Sequence, residues 1–296
     1  MKPTVIRATL AAAAVLAAAA PAAAQRSFDW NGQVSAGSSL RVFTQNGTVT
    51  VRQSGDGRAH VHGVTENARD GQIRYLTSGG GGGDFRVCAV RDNGTCGENG
   101  IRSSGERGWN GNRARANFTV EVPRGVVVRV SSGNGDVTVD GATADVHAGS
   151  GNGDVRVGNG AAQVNASTGN GEVMVDGARG PVHASSGNGR VVVHTATGPV
   201  NASTGNGRIE VAMASTRAAG DMEFSSGNGS VVLTLPSDFG AELEATTGSG
   251  SIETDFPLRV QGRISQHRMA GTIGNGGRRL KISTGNGSIY LRRGGS

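Results

Sequence analysis

The sequence predicts an all-β chain wound as a β-solenoid, with rungs of ~18 residues that each hold two short strands. Three observations carry that expectation. A Gly-Asn-Gly motif preceded by Ser or Thr recurs with its Asn at 134, 152, 170, 188 and 206, a spacing of 18 each time, and again at 228 and 286. Apolar and polar residues alternate on both sides of every copy, which is the period of a half-buried strand. The alternation also changes parity across the motif, so the chain must turn or bulge there.

The N-terminal segment comes first. Lys2 and Arg7 give it a positive start, residues 8–20 form a short apolar run, and Ala22, Ala23 and Ala24 supply small side chains before Gln25. This is the pattern of an export signal over 1–24. The run is too short and too Ala-rich for a membrane span, and no later stretch approaches twenty apolar residues. The expectation is a periplasmic or extracellular protein of the cell envelope with no transmembrane segment in the mature chain. Its formal charge of +6 falls to +4 without Lys2 and Arg7. So mild a balance does not imply a nucleic-acid partner. Fifty-one Gly against 2 Trp, 2 Tyr and 7 Phe argue for a thin core.

Residues 25–117 read as an irregular β part of the same domain. "LRVFTQNGTVTV" at 40–51 already fits the repeat, with Asn46 as its reference residue, whereas "SGGGGGD" and "SSGERGWNGNRARAN" read as loops. Cys88 and Cys96 flank a turn signal at 92–94. In an oxidising compartment they are expected to form a disulfide.

Residues 118–296 read as the regular solenoid. Six residues before each Asn stand Val128, Val146, Val164, Val182 and Val200, then Met222, Leu243 and Leu280. Three and five residues after it come further Val, Ile and Leu, as in Val173 and Val175. Ser249 takes the Asn place between Asn228 and Asn286, so that rungs stacked in sequence order would end on Asn286. Gly accepts positive φ, and Asn enters the left-handed region more readily than most residues, so the motif is turn chemistry. A meander of Asn-Gly hairpins is the alternative. A solenoid explains better why whole columns match, because like residues then lie ~4.8 Å apart and the Asn side chains can bond from rung to rung.

The order of an export signal, an early "NGTVTV", "FTVEVPRGVVVRVSSGNGDVTV", many Val-x-Ala-Ser-Thr-Gly-Asn-Gly units and a final "LKISTGNGSIYL" resembles the bacterial putative-adhesin domain of unknown function. The resemblance covers roughly residues 34–293 and implies a β-helical fold with a non-enzymatic surface or envelope role. The closing "RRGGS" carries neither a sorting signal nor a barrel to anchor an adhesin.

Candidate chemistry is sparse. The residue after Gly-Asn-Gly runs Asp136, Asp154, Glu172, Arg190, Arg208, which breaks a calcium ladder at the fourth rung and sets Glu172 beside Arg190. His147 and His183 fall two rungs apart, too far to share a metal, and His60 and His62 share a strand face without a further ligand. No cofactor is indicated. Asn-Ala-Ser at 165 and 201 matches a glycosylation pattern through the repeat alone. Acids scatter over outward positions, against the paired carboxylates of a polysaccharide-active β-helical enzyme, which is the alternative function. Ser and Thr adjoin the turn and do not form a flat ice-binding face. Arg278, Arg279, Lys281, Arg292 and Arg293 gather near the C-terminus. If the last rung caps the stack, they form a cationic end for an anionic envelope component; otherwise they keep a terminal strand from pairing. The expected function is a non-enzymatic, adhesin-like binding or structural module. Envelope polysaccharide, lipid headgroups or a surface protein are the partner classes.

Overall fold

The computed structural model describes residues 27–69, 71–91, 93–102, 114–195, 197–215, 220–260 and 265–294. The first 24 residues, with the expected export signal, lie outside them. No helix occurs among the described residues, and none is long and apolar enough to cross a membrane. The strands form two long sheets of 13 and 12 strands and one small hairpin. Each rung supplies one strand to each sheet. Val164–Asn170 belongs to the 13-stranded sheet, for example, and Val173–Ala178 to the 12-stranded one. The first is called the ladder sheet below, because its strands end on the motif Asn, and the second the return sheet.

The chain is therefore a solenoid. Val164–Asn170 pairs in parallel with Val146–Asn152 on one side and Val182–Asn188 on the other, in register, with Asn152, Asn170 and Asn188 aligned. Gly-Asn-Gly links strands of opposite sheets and not neighbours in a hairpin, which rules out the meander. The inward columns form one core. Val146, Val164, Val182, Ala148, Ala166 and Ala184 face Val155, Val173 and Val191, all of them buried. Burying each Val contributes about 1.5–3 kcal/mol.

Every position of Ser/Thr-Gly-Asn-Gly has a physical reason here. Thr168 lies on the inward parity and is buried, and its hydroxyl donates to the Gly153 carbonyl of the preceding rung at 2.8 Å. Ser150, Ser186 and Thr204 do the same to Gly135, Gly171 and Gly189. Gly169 leaves room for close stacking, because a Cβ there would stand 2.5 Å from the Gly151 carbonyl oxygen. The Asn170 amide donates to Asn152 Oδ1 at 2.7 Å, and Asn188 donates to Asn170 Oδ1 at 2.8 Å. Gly171 has φ 146°. One expectation is corrected at this point: the motif Asn does not turn the corner. Among the described residues Asn67 is the only non-Gly residue with positive φ. The motif Asn stays extended at a strand end, while the following Gly takes the turn.

The buried hydroxyl supports a prediction. Thr168→Val keeps the shape but leaves the Gly153 carbonyl without that partner. A loss of about 1–3 kcal/mol in chemical denaturation is expected. A neutral result would show that the hydroxyl column does not support the stack.

The ends depart from sequence order. Ser39–Asn46 lies directly on Val127–Asn134 and Val49–Gln53 on Val137–Val139, so the chain after Gln53 makes an excursion that, with Ser27–Gly32, caps the N-terminal end. The cap's antiparallel strands Ser27–Gly32, Ala59–Glu66 and Ile73–Gly79 enclose aromatics: Trp30 stacks on Phe85 at 3.6 Å, and Phe28 on Tyr75 at 5.2 Å. The strand Arg115–Val122 returns the chain to the stack and crosses the expected boundary at 117. At the other end, Arg278–Asn286 lies between Met222–Asn228 and Ala241–Ser249. This corrects the stacking order expected for Ser249 and Asn286. Asn286 continues the amide ladder by donating to Asn228 Oδ1 at 2.6 Å, and Ser249 has no carboxamide to extend it. The Ala241–Ser249 rung instead receives the antiparallel strands Arg268–Ile273 and Leu258–Val260, with Phe239 against Phe256 at 6.2 Å. No aromatic residue occurs between Phe118 and Phe224. The middle is thin, and both plugs are aromatic.

Candidate functional site

The outward parity of the ladder sheet places residues one, three and five before each Asn on one solvent-facing surface. The position before Asn is always Gly in the regular rungs, held small by the stacking contact. Three before it stand Ser131, Ser167, Ser185, Ser203 and Ser225, with Gly149 as a gap, all half-buried or exposed. Five before it stand Arg129, His147, Asn165, His183, Asn201 and Glu223. In-register pairing turns these positions into two parallel rows. The rows are about 6.6 Å apart along the strands and repeat about every 4.8 Å up the stack.

The two rows line a groove of about 770 Å³ that runs from Phe43 to Ser225. Its N-terminal end is closed by a hairpin, Thr95–Gly97 with Gly100–Arg102, whose tip residues Glu98 and Asn99 line the groove. A Cys88–Cys96 disulfide ties this hairpin to the sheet. Phe43, Cys88 and Val90 form a small outer cluster beneath it, against which Leu76, Cys96 and Ile101 pack. The cysteines thus fasten a groove wall.

Charges along the groove are largely answered. Arg41 pairs with Asp84 at 3.1 Å. The Ser39 backbone N–H, donating at 2.8 Å, holds the Asp84 carboxyl below its ordinary range, with Arg41 and Arg129 adding to the effect. Burial, then the nearby Arg129 charge, pushes the His147 imidazole below its ordinary value, against a smaller opposing pull from Asp145. At the far end Lys281 meets Glu223 at 2.8 Å, and that contact raises the Lys281 ammonium. Asn201 Oδ1 accepts the Glu223 backbone N–H at 2.8 Å.

Other residues singled out from sequence find scaffold roles. Asp136 Oδ1 accepts the Asp154 N–H at 2.9 Å, and Asp154 Oδ1 accepts the Glu172 N–H at 2.8 Å. The acidic column caps backbone donors between rungs. Glu172 and Arg190 do lie on adjacent rungs, but the Arg190 guanidinium bonds Glu210 at 2.9 Å. His60 contacts Asp56 at 2.9 Å and His62 contacts Asp29 at 2.5 Å, on the N-terminal cap. Among the described residues no three His, Cys, Asp or Glu gather as a metal site.

The cationic end expected at the C-terminus does not form as expected, because Arg278–Asn286 is an internal rung. Besides the Lys281–Glu223 contact, Arg292 bonds Glu253 at 3.3 Å and Asp255 at 3.2 Å. The Arg279 backbone N–H donates to Asp221. Arg278 and Arg293 lie over Phe239 and Phe256, at 5.7 and 5.3 Å from the ring centroids. Arg278, Arg292 and Arg293 serve the C-terminal plug. The groove was missed from sequence, although the parity that locates the core also assigns Ser167, His147 and Asn165 to one outer face.

The geometry defines a class: a parallel β-solenoid with aromatic plugs and a groove bordered by Ser, His and Asn along one sheet. By sequence the chain belongs to the Toastrack DUF4097 family, whose model matches residues 37–292. No curated protein matches it. Among solved structures, a putative adhesin from Bacteroides fragilis is 11% identical, with 91% of this chain and 97% of that one covered and a TM-score of 0.47. A putative cell adhesion protein from Clostridium sporogenes is 12% identical, with 90% and 100% covered and a TM-score of 0.29. Those names describe those two proteins.

Proposed function

We propose that this chain is an exported, non-catalytic binding module of the cell envelope, adhesin-like in role, which holds an extended partner along the ladder sheet. The observation that carries the reading is the groove itself, bordered by rows of Ser, His and Asn side chains over successive rungs and walled at one end by a disulfide-held hairpin. Two further features support it. Residues 1–24 have the composition of an export signal, and a disulfide suits an oxidising compartment. The acids that line the groove, Glu98 and Glu223, stand at its opposite ends. Glycoside cleavage needs a carboxyl pair within about 5–10 Å.

The test is sedimentation of purified protein lacking residues 1–24 with isolated bacterial envelope fractions, with release of reducing sugar followed in parallel. Saturable co-sedimentation without sugar release is expected. Release of reducing ends would replace this reading with the enzymatic one, and no co-sedimentation would remove the binding role.

A further inference from the structure

We propose that the ladder-sheet groove is a binding site for a linear, uncharged, hydroxyl-rich glycan whose sugar rings follow the rungs. The inference rests on the binding role proposed above and names the ligand class of that groove.

The lining chooses the chemistry. Asn165, Asn201, His147 and His183 offer donors and acceptors, and the Ser row offers hydroxyls that do both. Sugar hydroxyls need this dual capacity. Fixed charge is sparse and mixed: the lining holds Arg129, Glu98 and Glu223, and Glu223 is paired with Lys281. A polyanion such as a nucleic acid would want a row of cations, and the groove holds a single Arg. An extended peptide adds to a sheet through an open edge. Here the floor is the middle of a sheet whose strands are bonded on both sides. An acyl chain would want long apolar side chains, and the two rows project Ser, His and Asn instead.

The spacing points the same way. The groove crosses seven rungs, from the one holding Phe43 to the one holding Ser225. That is roughly 29 Å at about 4.8 Å per rung. A β-1,4-linked glycan is straight and advances by about one rung spacing per ring, with alternate rings turned over, so about six rings fit beside the rows. Aromatic platforms are missing from the regular rungs, so each ring gains only hydrogen bonds that replace those to water, and each contributes little. Binding then depends on many weak contacts in register, and affinity rises with chain length until the groove is filled.

The experiment is calorimetric titration of the purified protein with β-1,4-linked glucose oligosaccharides of two, four, six and eight units. The mannuronate hexasaccharide serves as the charged counterpart. Affinity is expected to climb to about six units and then level, with the mannuronate chain weaker. Ser167→Ile with Ser203→Ile fills the groove with side chains suited to a strand and should weaken the glucose hexasaccharide about tenfold or more. Thr138→Ile, on the outward face of the return sheet, should leave it unchanged. Melting curves check that all three proteins are folded. Tighter binding of the mannuronate chain, equal binding of the disaccharide, or an unaffected Ser167/Ser203 variant would overturn the proposal. If envelope fractions are bound but no glucose oligosaccharide is, the ligand class is wrong while the binding role stands.

Discussion

Gly171→Val is expected to destabilise the protein by about 3 kcal/mol or more, and Asn170→Ala by only about 1–2 kcal/mol. The two residues are neighbours in one motif, yet they do different things. A Cβ on Gly171 would lie 2.3 Å from the Gly153 carbonyl oxygen and 2.7 Å from its carbon, both in the backbone of the rung below. Its φ of 146° is in addition an outlier for a β-branched residue. Relief would require adjacent rungs to separate, which breaks the parallel pairing on both sides. Removing the Asn170 carboxamide instead costs two hydrogen bonds, to Asn152 and from Asn188, and both are solvent-exposed. Gly169→Ala separates the two glycine effects. That residue has no positive φ, but its Cβ would stand 2.5 Å from the Gly151 oxygen. Urea melts of the three variants rank them. A larger loss in Asn170→Ala than in Gly171→Val would show that the amide ladder, not the close backbone stacking, determines the rung spacing.

The regular rungs were legible because period and parity are both local. An 18-residue interval lines up Val164 with Val182 and Asn170 with Asn188, and the parity change at Gly-Asn-Gly places Val164 and Val173 in one core. The same parity makes Thr168 an inward residue, so its buried hydroxyl was available to the reading as well. The Asn backbone was not legible. Its tendency towards the left-handed region is an average over contexts, and here the side chain is held in a ladder while Gly171 absorbs the turn. The groove escaped notice because His147, Asn165 and Ser167 are unremarkable singly and acquire meaning only as rows. Rung order at the C-terminal end was beyond sequence. Ser249 and Asn286 both carry acceptable strand patterns, and what places Asn286 on Asn228 is a contact 58 residues away that competes with a nearer one.

That non-local insertion leads to the second large effect. Ile282→Arg is expected to unfold the C-terminal rungs over 222–293 while the central stack over 128–206 keeps its protection. Ile282 is fully buried and lies in register between Phe224 on one rung and Ala245 on the other. An unpaired guanidinium at that position has no carboxylate in the core to meet, so a cost above about 4 kcal/mol is expected. In a stack, each rung draws its stability from its neighbours, so loss propagates to whatever is stacked beyond the damage. Here the rung 241–254 and its antiparallel strands lie beyond it, bonded to the body through Arg278–Asn286 and the partner strand Ile289–Arg293. Central rungs stay paired among themselves from Val127–Asn134 to Val200–Asn206, and only the last of them loses a neighbour, Met222–Asn228. Hydrogen exchange followed by mass spectrometry reads this directly, peptide by peptide. With rungs stacked in sequence order, the same substitution would release only 278–293 and leave 241–249 protected against 222–228. Retained protection over 241–249 would overturn the inserted order, because in the structure that strand has no other path to the stack.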